Sequence, residues 1–218
     1  MNDSIREILK DYTELLEAEF GGRLLFTGLQ GSHARGEAAL ASDIDLVCVL
    51  DSLDIDALKK YDAIISKLHE SEKICGFIAG REQLENWEKS DLFSLCFDTV
   101  PFYGDISYLI DSISDADVRR SVLSGACNIY HAACHNFLHK KSTEILSALY
   151  KGLFFVMRAK YYCESGVFVR KKSELISLLP EDERLMLEAA ADVIKKDFEK
   201  HSNLLIEWSG HIIKSYAL

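Results

Sequence analysis

Asp43 and Asp45 stand two residues apart at the start of an apolar run, "IDLVCVL". In a strand, alternate side chains leave the same face, which sets these carboxylates about 7 Å apart along the chain. Like charges held side by side raise each other's cost of ionisation unless a counter-ion joins them. The simplest counter-ion is a hard divalent cation, and Mg²⁺ is the usual one where phosphates share the site. Taken alone, "DID" also reads as an ordinary solvated strand start, as "DSLDID" reads as the start of a helix.

The stretch before it, "GSHARG" (31–36), supplies the complement. Gly31 and Gly36 tolerate positive φ and allow close backbone approach. The N–H groups between them and the Ser32 hydroxyl can cradle phosphate oxygens. Arg35 either neutralises a phosphate or fixes the loop by pairing with an acid such as Asp43 or Glu37. Ser42 can bond within the turn. A phosphate cradle beside paired carboxylates is what nucleotidyl transfer needs: cations bridge acids and triphosphate while a hydroxyl meets the α-phosphate in line.

These residues need a frame. Ile5, Ile8, Leu9, Tyr12, Leu15, Leu16 and Phe20 recur at helical spacing and predict a helix over 4–20, ended by Gly21-Gly22. "RLLFTG" predicts a buried strand, 31–42 a turn region, and "IDLVCVL" a second strand. A helix is expected over 54–70, a third strand at "KICGFIAG" and a short helix at "REQLENWEK". "LFSLCFDTVPF" is expected to be a fourth strand, with Pro101 ending it or placing it at an edge. From 115 onward only helical periods appear, over 115–139, 142–165, 181–201 and 203–216, and Pro180 suits a helix start. Short connections between long helices predict an antiparallel bundle. The expected fold is α+β, a small mixed-sheet domain (1–114) followed by an all-α bundle (115–218).

Composition narrows the partners. The 218 residues are 48% hydrophobic and 28% charged, with net charge −10. Residues 1–114 carry 22 acidic against 10 basic side chains, and residues 115–218 carry 13 against 15. An acidic first half argues against nucleic-acid binding, which needs a basic surface. It suits divalent metals or a cationic substrate. Apolar runs such as "LFFVM" (153–157) fall far short of the ~18–20 residues of a membrane span. "MNDSIREILK" brings acids before any apolar run, unlike a signal peptide, so a cytoplasmic protein is expected. The six cysteines form no CxxC pair and are expected to be reduced.

"GSHARG" followed by "SDIDL" closely resembles the signature of the DNA polymerase β-like nucleotidyltransferase superfamily. That signature reads G-S-x-A-R-G, a few residues, then S-D-I-D-L, and every fixed position is present, with His33 at the free one. The resemblance implies that Gly31 and Ser32 hold the β/γ-phosphates of a nucleoside triphosphate and that Asp43 and Asp45 bind Mg²⁺. It implies a third acid on a neighbouring strand, as metal ligand or as base for the acceptor hydroxyl. Asp98, at the end of "LFSLCFD", is the first choice, with Asp105 and Asp91 as alternatives. The helical second half is similar in architecture to small bacterial nucleotidyltransferases, including those that adenylylate aminoglycosides. The implied reaction moves a nucleoside monophosphate from ATP, or another NTP, to a hydroxyl of a small molecule, possibly aminoglycoside-like. A protein-adenylylating enzyme of the antitoxin type and a non-catalytic nucleotide-binding module are the alternatives.

Two further groups stand out. Lys151, Arg158 and Lys160 share one predicted helix and either help to hold triphosphate or lie on a solvated face. "CNIYHAACHNFLH" spaces Cys127, His131, His135 and His139 by four residues, with Cys134 between. Its readings are bundle packing, acceptor-pocket lining, or a zinc site without the usual HExxH or CxxC partners.

Overall fold

A computed structural model describes residues 3–189 and 197–217. The chain divides into two compact units, Met1–Ser112 and Ile113–Leu218.

The first unit is built on a four-stranded mixed sheet. Its strands are β1 (Leu24–Gln30), β2 (Ile44–Leu50), β3 (Ile74–Gly80) and β4 (Val100–Gly104), in the order β3-β2-β1-β4. β1 runs antiparallel to β2 and β4, and β2 runs parallel to β3. β2 is central, and Leu46 to Leu50 are all buried, so the strand is covered on both faces as its unbroken apolar run requires. α1 (Asp3–Phe20) and α3 (Ile55–Ile65) pack on one face. Ile5, Ile8, Leu9, Tyr12, Leu16 and Phe20 of α1 join Ile44, Leu46, Cys48 and Leu50 of β2 in one core. The buried polar groups in this layer are paired: Tyr12 and Tyr61 hydroxyls lie 3.0 Å apart, and Thr13 and Thr27 hydroxyls 2.8 Å. Asp54 caps α3 by accepting from Ala57 N at 2.7 Å.

One expected strand is mostly helix. α4 (Arg81–Glu85) is followed by α5 (Lys89–Asp98), and only Val100–Gly104 is strand. Leu92, Phe93 and Cys96 are buried at helical spacing, and the carbonyl of Glu88 accepts from the amides of Asp91 and Leu92 to start the helix. Pro101 lies on β4, an edge of the sheet, as a residue without an N–H must.

The second unit is all helix among the described residues. α6 (Asp115–His135) starts from a capping box formed by Ser114 and Asp117. It runs into a π turn, Asn136–Lys140. α7 (Thr143–Ser165), capped by Ser142, packs on α6, as does α10 (Phe198–Tyr216). α8 (Lys172–Leu178) lies between the helices expected over 142–165 and 181–201, with Leu175 fully buried as its anchor. α9 (Glu181–Ala189) follows Pro180. Of the helix expected over 181–201, residues 190–196 lie outside the described residues. The interruption expected between 201 and 203 is absent, because α10 runs through Ser202, whose hydroxyl donates to Phe198 O at 2.8 Å.

Leu9 is fully buried between α1 and the sheet. Leu9→Ala should therefore lower stability by about 2–5 kcal/mol in urea unfolding. A loss below about 0.5 kcal/mol, the range of surface changes, would mean that α1 does not seal this face.

Candidate active site

β1 ends at Gln30, and the chain turns at once into a short helix, α2 (Gly31–Arg35). Gly31 has φ +68° and Gly36, which ends the turn, φ +72°. At Gly31 the requirement is steric as well, because a Cβ there would collide with the Asp45 carboxylate. The glycine lets the turn's backbone lie against that acid. Gly36 N donates to His33 O at 3.3 Å and Glu37 N to Ser32 O at 2.9 Å, closing the helix in a left-handed exit. Ser42 then closes the next turn: its hydroxyl accepts from Ala39 N at 2.9 Å, and its own amide donates to Ala39 O at 3.0 Å.

The carboxylates sit where the strand geometry expects. Asp43 is exposed just before β2, and Asp45 is half-buried as the second residue of the strand. Burial chiefly raises the Asp45 pKa, and the Asp43 charge raises it further. Arg35 and His33 oppose this rise, and the Asp98 charge adds to it. In the sheet, Asp45 is flanked by Gln30 on β1 and Cys75 on β3. β1, β3 and β4 carry no acidic residue at all. The third acid expected on a neighbouring strand is therefore not on one.

Asp98 reaches the site from the last position of α5. It is 6% exposed, and its Oδ2 accepts from Arg35 Nη1 at 3.0 Å. Arg35 Nε also faces Glu37 Oε2 at 3.4 Å. The expected loop-fixing pair thus forms with Glu37 and Asp98. Gln30 Nε2 donates to Leu95 O at 2.9 Å and to Thr99 Oγ1 at 2.8 Å, which ties the end of α5 to the end of β1. Asp105 closes its own turn by accepting from Ser107 N (2.7 Å) and Ser107 Oγ (2.8 Å), and Asp91 is exposed in the first turn of α5.

A cleft of about 430 Å³ adjoins the turn, lined among others by His33, Ser42, Glu70 and Lys73. Lys73 Nζ and Glu70 Oε1 are 2.7 Å apart, and Glu70 holds a left-handed φ of 56°. Nothing in the sequence marked Glu70 or Lys73 as neighbours of the turn. The parallel register does so, because Ile44 pairs with Ile74 and carries Lys73 to the level of Asp43.

The candidates of the second half fare differently. Arg158 is 1% exposed, with its guanidinium 4.5 Å from the Phe168 ring and 5.2 Å from that of Phe154, so it does not lie on a solvated face. Lys160 is engaged by Glu164 and Glu183, and Lys151 is exposed. Cys127, His131, His135 and His139 point outward while Ala126, Ile129 and Ala133 fill the core, so the four-residue repeat does not pack the bundle.

In the mixed sheet the first strand opens into a Gly-Ser turn, and two aspartates flank the first residue of the second strand. Residues 25–118, less than half of the chain, match the family described as nucleotidyltransferase domain, and that match supports a transferase enzyme. The whole chain is similar in fold to spectinomycin adenyltransferase AAD(9) from Enterococcus faecialis, whose structure holds ATP and spectinomycin. That likeness has a TM-score of 0.58 at 15% identity and covers 96% of this chain and 99% of that one. A nucleotidyltransferase-like protein from Exiguobacterium sibiricum 255-15 aligns at a TM-score of 0.36 and 9% identity, over 94% of this chain and 74% of that one. No curated protein sequence matches the chain. No helix among the described residues is long and apolar enough to cross a membrane.

Two predictions follow from the geometry. Gly31→Ala should keep the fold by circular dichroism but displace Asp45 and weaken nucleotide binding, and unchanged binding would refute the close approach. Folding raises the Asp45 pKa, so its ionised form costs stability above that raised value and costs none below the unfolded value near ~3.9. Asp45→Asn should therefore raise the melting temperature at neutral pH, with the gain shrinking as pH falls toward ~4. A gain that is absent or independent of pH would contradict the unfavourable charge.

Proposed function

We propose that the chain transfers a nucleoside monophosphate, AMP from ATP in the first instance, to a hydroxyl of a small molecule with release of pyrophosphate. The observation that carries this reading is the Asp45 carboxylate lying against Gly31, with Asp43 beside it. The donor set fits Mg²⁺: two hard carboxylates, with the Asp43 charge raising the cost of ionising Asp45, next to the Gly31 turn. Among the described residues no group of three or more His, Cys, Asp or Glu converges on a metal. That matches a cation held by one or two carboxylates, with phosphate and water filling its other positions. When bound, the cation would neutralise phosphate charge.

In this reading Asp43 and Asp45 hold the cation. Gly31 gives the β/γ-phosphates access to the backbone, and the Ser32 hydroxyl donates to them. Arg35, fixed by Glu37 and Asp98, shapes the loop and adds positive charge near the phosphates. The acceptor oxygen bonds to the α-phosphorus, the bond to the departing pyrophosphate breaks, and the hydroxyl proton passes to a base. Asp98, held by Arg35 at 3.0 Å, is the proposed third acid, serving as base or acting through Arg35. The negative charge of residues 1–114 favours a cationic acceptor such as an aminoglycoside. The fold shared with a spectinomycin adenyltransferase supports the same choice.

Two measurements test the reading. ATP with Mg²⁺ should raise the melting temperature of the wild type more than ATP with EDTA, and Asp43→Asn should remove the difference. A pyrophosphate-release screen across aminoglycosides, nucleosides and cell lysate should then give turnover above an Asp45→Ala control. No release with any acceptor, together with metal-independent ATP binding, would favour a non-catalytic nucleotide-binding module. Asp98→Asn separates two roles. Lost turnover with ATP affinity kept marks a base, whereas lost ATP affinity marks a group that acts through Arg35.

A further inference from the structure

A second set of metal-ligating side chains stands in the helical unit, apart from the carboxylates. Cys127, His131 and His135 follow one another at four-residue intervals on α6, and His139 continues the series in the π turn. All four are exposed. The His135 and His139 ring centroids are 4.8 Å apart with the planes inclined by 55°. Those of His131 and His135 are 6.3 Å apart, inclined by 39°.

These separations can be set against a chelate. A metal about 2.0–2.1 Å from an imidazole nitrogen lies about 3.2 Å from that ring's centroid. Two rings on one ion, at an angle of about 90–110° between their bonds, then have centroids about 4.5–5.2 Å apart. His135 and His139 fall inside that window. His131 lies outside it and joins only by rotating its side chain.

The scaffold holds this spacing. Asn136 is fully buried at the start of the π turn. Its Nδ2 donates to Ser142 O at 2.9 Å, and its Oδ1 accepts from Ser142 N at 3.0 Å. Lys141, in a left-handed conformation with φ 52°, donates its amide to Asn136 O at 2.7 Å. The extra residue of the turn is therefore locked from both ends, and it sets where His139 stands beside His135. The C-terminal end of α6 also carries partial negative charge, which favours a cation there.

We propose that His135 and His139 chelate a borderline divalent transition-metal ion, Zn²⁺, Ni²⁺ or Cu²⁺, with water and a rotated His131 at the remaining positions. Imidazole suits these ions, whereas Mg²⁺ prefers carboxylate oxygen. The inference is independent of the nucleotidyl-transfer reading.

The test is calorimetric titration of the reduced, metal-free full chain with Zn²⁺ alone, repeated with Ni²⁺. Saturable binding of one ion per chain is expected, and His135→Ala and His139→Ala should each weaken it by about tenfold or more. Asp43→Asn with Asp45→Asn should leave it unchanged, and Cys127→Ser should cost less than either histidine variant. All these side chains except Asp45 are exposed, and circular dichroism of each variant checks that the fold persists. No saturable binding of either ion would overturn the proposal, as would binding that His135→Ala leaves intact.

Discussion

The first unit is organised around a repulsion. Asp43 and Asp45 leave one end of β2 together, and Asp45 is partly withdrawn from water. Neither condition is favourable for a carboxylate, and the strand beneath must keep the pair from relaxing apart. It can do so because Leu46 to Leu50 are all buried, with α1 and α3 covering one face of the strand. The core fixes a charge arrangement that would otherwise disperse. A site that costs stability without its cation is poised to recover that cost by binding one.

The turn before β2 is built to the same end. Gly31 removes the one atom that would push Asp45 away, and Gly36 lets the chain leave after a single helical turn. The loop is also braced from behind. Gln30 and Arg35 bracket α2, and both reach to the last turn of α5, one through Leu95 and Thr99 and the other through Asp98. Asp98 is buried and paired with Arg35, so loss of either partner would leave an uncompensated charge. The end of α5 therefore sets the loop geometry even if no atom of it touches substrate.

Much of this was legible in the sequence, and the reasons are physical. The carboxylate pair and the glycine turn could be read because strand alternation and positive φ are local properties, visible within twenty residues. The helix over 4–20 and the strand over 44–50 follow from periodicities that the core obeys. The stretch 92–102 misled because "LFSLCF" satisfies a buried strand and a buried helix equally, and short apolar runs do not decide between them. The backbone bonds from Asp91 and Leu92 to Glu88 O, with Leu92, Phe93 and Cys96 buried, show that helix prevails. Asp98 was singled out as the end of a strand, whereas it arrives as the end of a helix held by Arg35. Glu70 and Lys73 were invisible, because only the parallel pairing of β2 with β3 brings residue 73 level with residue 43. Long-range register is not written in any local pattern.

The same distinction separates the two places where a cation is proposed. At β2 the donors are carboxylates with phosphate as the expected third party, a hard set that suits Mg²⁺. On α6 the donors are imidazoles spaced by a π turn, a borderline set that suits Zn²⁺ or Ni²⁺. One chain can carry both without confusion, since donor chemistry as well as geometry sorts the ions. The four-residue spacing on α6 was readable, but its outward direction was not, because Ala126, Ile129 and Ala133 already meet the bundle's need for core. Once those small residues take the inside, the histidines are freed from packing, and their spacing needs another explanation than the core.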